Sequence, residues 1–510
     1  MRKAAAVAVL ASMAALAMIF ATGASSSRGH ANRAEGGTLT FEAAQGIEVL
    51  DPYKKLFQYS ESLYPLLWNG LTAFTQSSPA VPQPELAQSW KASSGGKVYT
   101  FKLRSGLQFS DGSPINAAAV VSSLQRAFDP ATAFFFASFF PKVKSVSASN
   151  DSTVVITLTK ASNVLPTLLT QVPIIQTAAL STINTTPVVS GPFMVQQFTP
   201  NVSLTLVPNP KYWGTKPKLS EIKVVNAQDS TSAVSALESG QADVMWGLPW
   251  NVVGTVKKNP SIQIITGQAS QPTLLDLDNT SPPFNNVKAR QAISYALDRA
   301  TIVRTIYAGL VQPATTNQPV APGTVYYNKT LPAYTYNLAK AKQLFAAAGV
   351  HAGSTLTYWA VGGAYPDFTS IGVVLKASLK KIGINLNIQT PEVTTWAAKF
   401  APSGKKWPGL IVPNFYGAYP QPMSLNWWLP GVCECNYHSA VFTNALNGAY
   451  SATSTPKQLA LIRAAEKTLA SDSPAPIVMI SSTPDAIRSN IGGVWENAGT
   501  VLQLQDAYIK

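Results

Sequence analysis

The hydrophobic pattern of this chain changes period repeatedly along its length, and that alternation constrains the fold more than any other feature. Residues 36–43, Val98–Leu103, Thr153–Leu158, 203–207 and 222–225 alternate apolar and polar side chains one by one, as half-buried strands do. Other segments repeat every three or four residues. Residues 62–74 place Leu63, Leu66 and Leu67 on one face, and Asn116 is a cap for a helix running to Phe128. Residues 231–239 read as a helix stopped by Gly240, 287–308 as one long helix ending at Gly309, and 338–348 as a helix stopped by Gly349. Residues 368–382 form another before Gly383, and 457–470 the last. Short strands are predicted at 242–245 and 384–388. Asp51-Pro52 and Asp111-Gly112 read as turns, and Pro79, Pro82 and Pro84 as a loop. Strands and helices interleaved to the end predict an α/β protein with partly parallel sheets, whose ligands sit in crevices at strand ends or between lobes.

A chain of 510 residues has length for two or three domains with a substantial core. The formal net charge of +14 comes from 38 Lys and Arg against only 24 Asp and Glu. The basic residues are scattered, and the densest pairs (Lys54-Lys55, Lys257-Lys258, Lys380-Lys381, Lys405-Lys406) are far apart. That is a solvated basic surface, not the concentrated stripe of a nucleic-acid binder.

The amino terminus carries Arg2-Lys3, an apolar stretch over 4–21 and a run of small residues, the pattern of a secretory signal peptide. Its end is placed at Ala24 or Ala31, and the mature chain is expected outside the cytoplasm, periplasmic or at the cell surface. An uncleaved membrane anchor is the alternative, but alanine dominates the stretch and no strongly basic stop follows. In an oxidising compartment Cys433-Glu434-Cys435 is expected to form a disulfide closing a very small loop. A metal site with His438 is the rival reading, one ligand short of a tetrahedral set.

Catalysis finds little support. Only His30, His351 and His438 are present to serve as a histidine base, and neither Gly-x-Ser-x-Gly nor His-Glu-x-x-His occurs. Ser94-Gly95-Gly96-Lys97 matches Ser-x-x-Lys, but its two glycines place it in a turn. An exported hydrolase is therefore the weaker reading.

An ordered series of short motifs runs through the chain. It begins with Leu50-Asp51-Pro52, Pro84-Glu85-Leu86-Ala87-Gln88-Ser89-Trp90, Tyr99-Thr100-Phe101-Lys102-Leu103-Arg104-Ser105-Gly106 and Phe109-Ser110-Asp111-Gly112-Ser113-Pro114. It continues through Ser190-Gly191-Pro192-Phe193, Asn209-Pro210-Lys211-Tyr212-Trp213-Gly214, Leu237-Glu238-Ser239-Gly240, Pro282-Pro283-Phe284-Asn285 and Ala296-Leu297-Asp298-Arg299. In this order the motifs resemble those of the family 5 extracellular solute-binding proteins, which serve oligopeptide, dipeptide and nickel ABC importers. Arg104, Asp111, Arg290 and Asp298 within or near these motifs are read as buried pairing or capping groups. The resemblance implies a two-lobed, type II-like periplasmic-binding-protein clamshell with an additional inserted domain. Lobe I would combine 36–69, 189–278 and 484–510, the extra domain would be 70–188, and lobe II 279–483, with the signal at 1–24. It further implies a monomer that needs no cofactor, captures a peptide or another small molecule between its lobes, and delivers it to ABC permease subunits.

In peptide-binding relatives an aspartate of the second lobe pairs with the ligand's α-amino group. Here Ala418 stands at that place and Gln421 replaces a second frequent acid, so either another acid serves or the ligand differs. The resemblance places Phe136, Trp246, Trp396, Phe415, Tyr416 and Tyr419 at the cleft, with Leu275 where a relative has an aromatic residue. Aromatic walls supply contact area, and Tyr and Trp keep a polar edge. Metallophore-type and sugar ligands remain alternatives within the same architecture.

Overall fold

The structure is a computed structural model that describes residues 36–43, 47–54, 58–227, 229–266, 271–320, 322, 325–361, 366–400, 405–415, 423–452, 454–497 and 501–510. The expected signal peptide lies outside the described residues.

Three sheets organise the chain. The first has seven strands in the order Ile262–Ile265, Asp485–Arg488, Val244–Met245, Thr38–Ala43, Glu221–Asn226, Ser203–Pro208 and Phe193–Thr199. Thr38–Ala43 at its centre runs parallel to both neighbours, with Leu39 opposite Ile222 and Phe41 opposite Val224. The period-two pattern explains the burial: Leu39, Phe41, Leu204, Leu206 and Ile222 are all essentially inaccessible, while residues between them are partly exposed. Helices Ser230–Ser239 and Trp250–Val256 contribute, with Met245 and Ala486, to a separate small core beside this sheet.

The second sheet has five strands in the order Asn385–Gln389, Thr355–Trp359, Leu410–Phe415, Gln271–Leu277 and Ile477–Ser481. Its first three strands are parallel, and Gln271–Leu277 pairs antiparallel with both of its neighbours. Every residue of Gln271–Leu277 is buried. A strand covered on both faces does not alternate, so period-two reading passes over it. The third sheet, of four antiparallel strands, spans Ala87–Ser93, Val98–Leu103, Thr153–Leu158 and Val143–Asn150. Helix Ala117–Phe128 packs with it, started by the Asn116 side chain, which accepts from the Ala119 amide at 3.0 Å.

The chain passes between the seven- and five-stranded sheets after Ile265 and again between Ser481 and Asp485. Among the described residues, no helix is long and apolar enough to cross a membrane.

Three local expectations are corrected. The helix expected over 62–74 is Gln58–Leu67, and Thr72–Thr75 is a strand. The proline-rich segment expected as a loop is the strand Ser78–Pro84, paired with Thr72–Thr75 in a two-stranded ribbon. Each strand of such a ribbon has an unpaired edge, where a proline lacking N–H is tolerated. The single helix expected over 287–308 is two, Val287–Ala296 and Arg299–Ile306. Asp298 divides them: its carboxylate accepts from the Thr301 amide at 3.0 Å and caps the second helix. The bend lets the buried Arg299 guanidinium donate to the carbonyls of Ile477, Ser294 and Tyr334.

Candidate interlobe site

Parallel strands leave their carboxyl ends on one edge of a sheet, where side chains and loops gather around ligands. In the first sheet these ends are Ala43, Asn226 and Met245; in the second they are Trp359, Gln389 and Phe415. Aromatic residues connect the two groups. After Met245 the chain turns through Gly247, whose φ of 72° suits glycine, and enters helix Trp250–Val256. The Trp250 ring meets that of Tyr307 edge-on at 5.9 Å, joining the first sheet's body to the second's. Tyr307 Oη donates to Asp367 Oδ2 at 2.6 Å, and the adjacent Phe368 meets Phe415 at 6.1 Å. Burial raises the Asp367 carboxyl above its ordinary range, with the Tyr307 hydrogen bond working the other way. The Tyr307 hydroxyl is held well above its ordinary value by burial and by the neighbouring Asp367.

On the first sheet, Glu42 lies at the end of the central strand, and its backbone carbonyl accepts from Trp246 N at 3.1 Å. Its carboxyl is raised by burial, and the buried Oε2 has no hydrogen-bond partner among the described residues. Sequence reasoning singled out Trp250 only as an aromatic residue following the 242–245 strand, and missed Glu42, Asp367 and Tyr307. Glu42 carried a usable signal, since it lies at the carboxyl end of a predicted strand.

The sequence-selected residues fall into four groups. Trp246 and Phe415 are half-buried at strand ends of the first and second sheets respectively. Trp396 is half-buried and packs with Trp359 against a small cluster of Trp407, Leu410 and Val412. Leu275 and Phe136 are buried. Leu275 pairs with Pro413 inside the second sheet and is wholly enclosed in its core. Phe136 belongs to a ring cluster with Phe134, Phe135 and Phe139. Tyr416 and Tyr419, with Ala418 and Gln421, lie outside the described residues.

Cys433 and Cys435 are joined as a disulfide. The acid beside them is Asp276, whose oxygen and the two sulfurs lie within 4.8 Å of one another, while His438 is exposed and outside the group. Asp276 and Glu434 are both raised, Asp276 by burial and Glu434 by burial and then by Asp276. Paired sulfurs are not thiolate ligands, so this arrangement is a bridge. His351 is likewise exposed and far along the chain, which leaves no histidine-centred catalytic set among the described residues.

The family model for bacterial extracellular solute-binding proteins, family 5 (middle), matches residues 81–432. The chain belongs to that family. As a family 5 protein it is a solute-binding component of ABC importers with the family's two-lobed fold. The glutathione-binding protein GsiB of Escherichia coli strain K12 is 26% identical over 479 residues, covering 90% of this chain and 92% of GsiB. The periplasmic binding protein DppA of Helicobacter pylori, solved with the peptide STSA, superimposes with a TM-score of 0.83 at 24% identity, over 94% of this chain and 98% of DppA. The oligopeptide-binding protein AppA of Bacillus subtilis, solved with a nonapeptide, gives 0.82 at 21% identity over 94% and 100%.

Proposed function

We propose that this family 5 protein works outside the cytoplasm, as a monomer without a cofactor, capturing a peptide or peptide-like solute between its lobes and releasing it unchanged to an ABC permease. Lobe I is assigned to 36–69, 189–278 and 484–510, the extra domain to 70–188 and lobe II to 279–483. The observation that carries the reading is the aromatic bridge from Trp250 through Tyr307, Asp367 and Phe368 to Phe415 between the facing strand ends. A solute held there touches both lobes, and closure is favoured by its greater affinity for the closed state.

Trp246 and Phe415 offer aromatic walls, with Tyr416 and Tyr419 following Phe415 in sequence. Glu42 and Asp367 offer carboxyl groups for a solute ammonium, in place of the acid that Ala418 lacks. GsiB, DppA and AppA are named or solved with glutathione, a short peptide and a nonapeptide, which supports the peptide class. The test is thermal denaturation with a library of peptides of two to ten residues. Compatible peptides raise the melting temperature because they bind only the folded form. A library without effect removes "peptide" from the assignment.

A further inference from the structure

A cavity of about 240 Å³ opens beside helix Gln58–Leu67 and the ribbon of Thr72–Thr75 and Ser78–Pro84. Its lining residues come from 52, 61–75, 84–85, 134–136, 170–173, 192, 212–213, 497 and 501–505, and no described residue of 271–483 takes part. A molecule bound here therefore needs no closure of the second lobe. Its aromatic lining includes Tyr64, Trp68, Phe134, Phe136, Tyr212 and Trp213. Tyr64 and Trp68 meet edge-on at 6.0 Å, and Phe134 meets Phe136 edge-on at 5.7 Å.

The charge of the lining is one-sided in a chain of formal charge +14. Glu61 and Glu85 line the cavity, and no described Lys, Arg or His does. The two acids differ. Glu85 has both oxygens engaged, accepting from Asn69 Nδ2 and the Gly70 amide at 2.7 Å each. Burial alone pushes Glu61 up to about 8, and no hydrogen bond or cation offsets it. Gln505, at the other side of the lining, has a buried Oε1 with no hydrogen-bond partner among the described residues. The Arg104 guanidinium is not part of the lining: it stacks 4.9 Å from the Trp213 ring, with its Nε on the Glu85 carbonyl.

Aromatic faces with an unengaged carboxyl and an unengaged amide oxygen, and no competing cation, present acceptors and negative ring potential to whatever enters. We propose that this cavity is a binding site for a small organic cation of the alkylammonium class, separate from the interlobe cleft. The aromatic rings hold the methylated or methylene shell, and Glu61 supplies the counter-charge.

The test uses the full mature protein and two probes, choline and its neutral carbon isostere 3,3-dimethyl-1-butanol, titrated by calorimetry. Choline is expected to saturate one site at least ten-fold more tightly than the alcohol, and more tightly at pH 8.5 than at pH 6. Entry of the cation ionises Glu61, so titrations in two buffers of different ionisation enthalpy report proton release below pH 8 on the unaltered protein. Glu61→Gln is expected to weaken choline at least ten-fold while leaving the melting temperature shift caused by cleft solutes in place. Phe415→Ala is expected to leave choline binding intact. Equal affinity for choline and the alcohol, no saturation by either, absence of proton release, or loss of choline binding in Phe415→Ala would overturn the proposal. None of those results would contradict capture of a peptide in the interlobe cleft.

Discussion

Arg126 and Asp51, 75 residues apart in sequence, form a two-point guanidinium–carboxylate pair, Nη1 reaching Oδ1 at 3.0 Å and Nη2 bonding Oδ2. Asp51 belongs to the segment leaving the first sheet, and Arg126 to the last turn of helix Ala117–Phe128 beside the four-stranded sheet. The carboxylate also accepts from the Tyr53 amide at 3.0 Å, and the guanidinium lies 5.1 Å from the Tyr53 ring. The pair pins helix Ala117–Phe128 to the segment that follows the first sheet's central strand.

Removing one member should cost more than removing both. Arg126→Met leaves Asp51 buried without its cation and is expected to cost about 3–5 kcal/mol. The double variant Asp51→Asn with Arg126→Met should recover part of that loss. Urea denaturation of the three proteins measures it, and equal losses in the single and double variants would contradict the pairing role.

Gly191 is held by close approach. A Cβ placed there would lie 2.6 Å from the Leu66 carbonyl oxygen and 2.6 Å from the Leu67 carbonyl carbon, both main-chain atoms. Gly191→Ala must push strand and helix apart, and the expected cost is about 1–3 kcal/mol. A thermal scan showing an unchanged melting temperature would refute this.

Glu466 should make stability depend on pH. It is inaccessible in helix Thr455–Asp472, both oxygens lack hydrogen-bond partners, and burial pushes it up to about 9. Between its ordinary value of 4.5 and about 9 the folded protein keeps a proton that the unfolded chain gives up. Stability from this group is therefore complete below the lower value and declines as pH rises through the window. Glu466→Gln should flatten that decline and exceed the wild type by at least about 1 kcal/mol at pH 8. Parallel pH profiles would rule it out.

The sequence made visible what local chemistry decides. Asn116 caps its helix, Gly240 ends another at φ 82°, and the alternating strands of the first and third sheets lie where their periods place them. Asp298 was legible as a capping or pairing charge, yet the break it makes at Leu297 was hidden because apolar spacing continues across it. The enclosed strand Gln271–Leu277 gave no period-two signal, since both its faces are covered. Contacts between distant segments were harder still. Trp250 and Tyr307 meet only because the bodies of two sheets come together, and Glu61 and Gln505 share a cavity across more than 400 residues. Leu275, aligned with an aromatic position by resemblance, is enclosed within its own sheet's core.

Trp250 and Phe415 terminate the aromatic bridge, so cutting either end should loosen capture without unfolding the protein. Trp250→Ala and Phe415→Ala are each expected to weaken solute binding about ten-fold, which corresponds to roughly 1.4 kcal/mol. Calorimetric titration with a peptide that stabilises the wild type checks this, and undiminished affinity in both would exclude them from the site.

The most direct measurement is native mass spectrometry of the purified protein with its peptide ligand, followed by denaturation and a second mass measurement of what is released. One solute per chain, recovered with its mass unchanged after prolonged incubation and depleted in Phe415→Ala, is the predicted result. A solute that leaves the protein cleaved or modified, or peptides that never form a one-to-one complex, would contradict capture between the lobes.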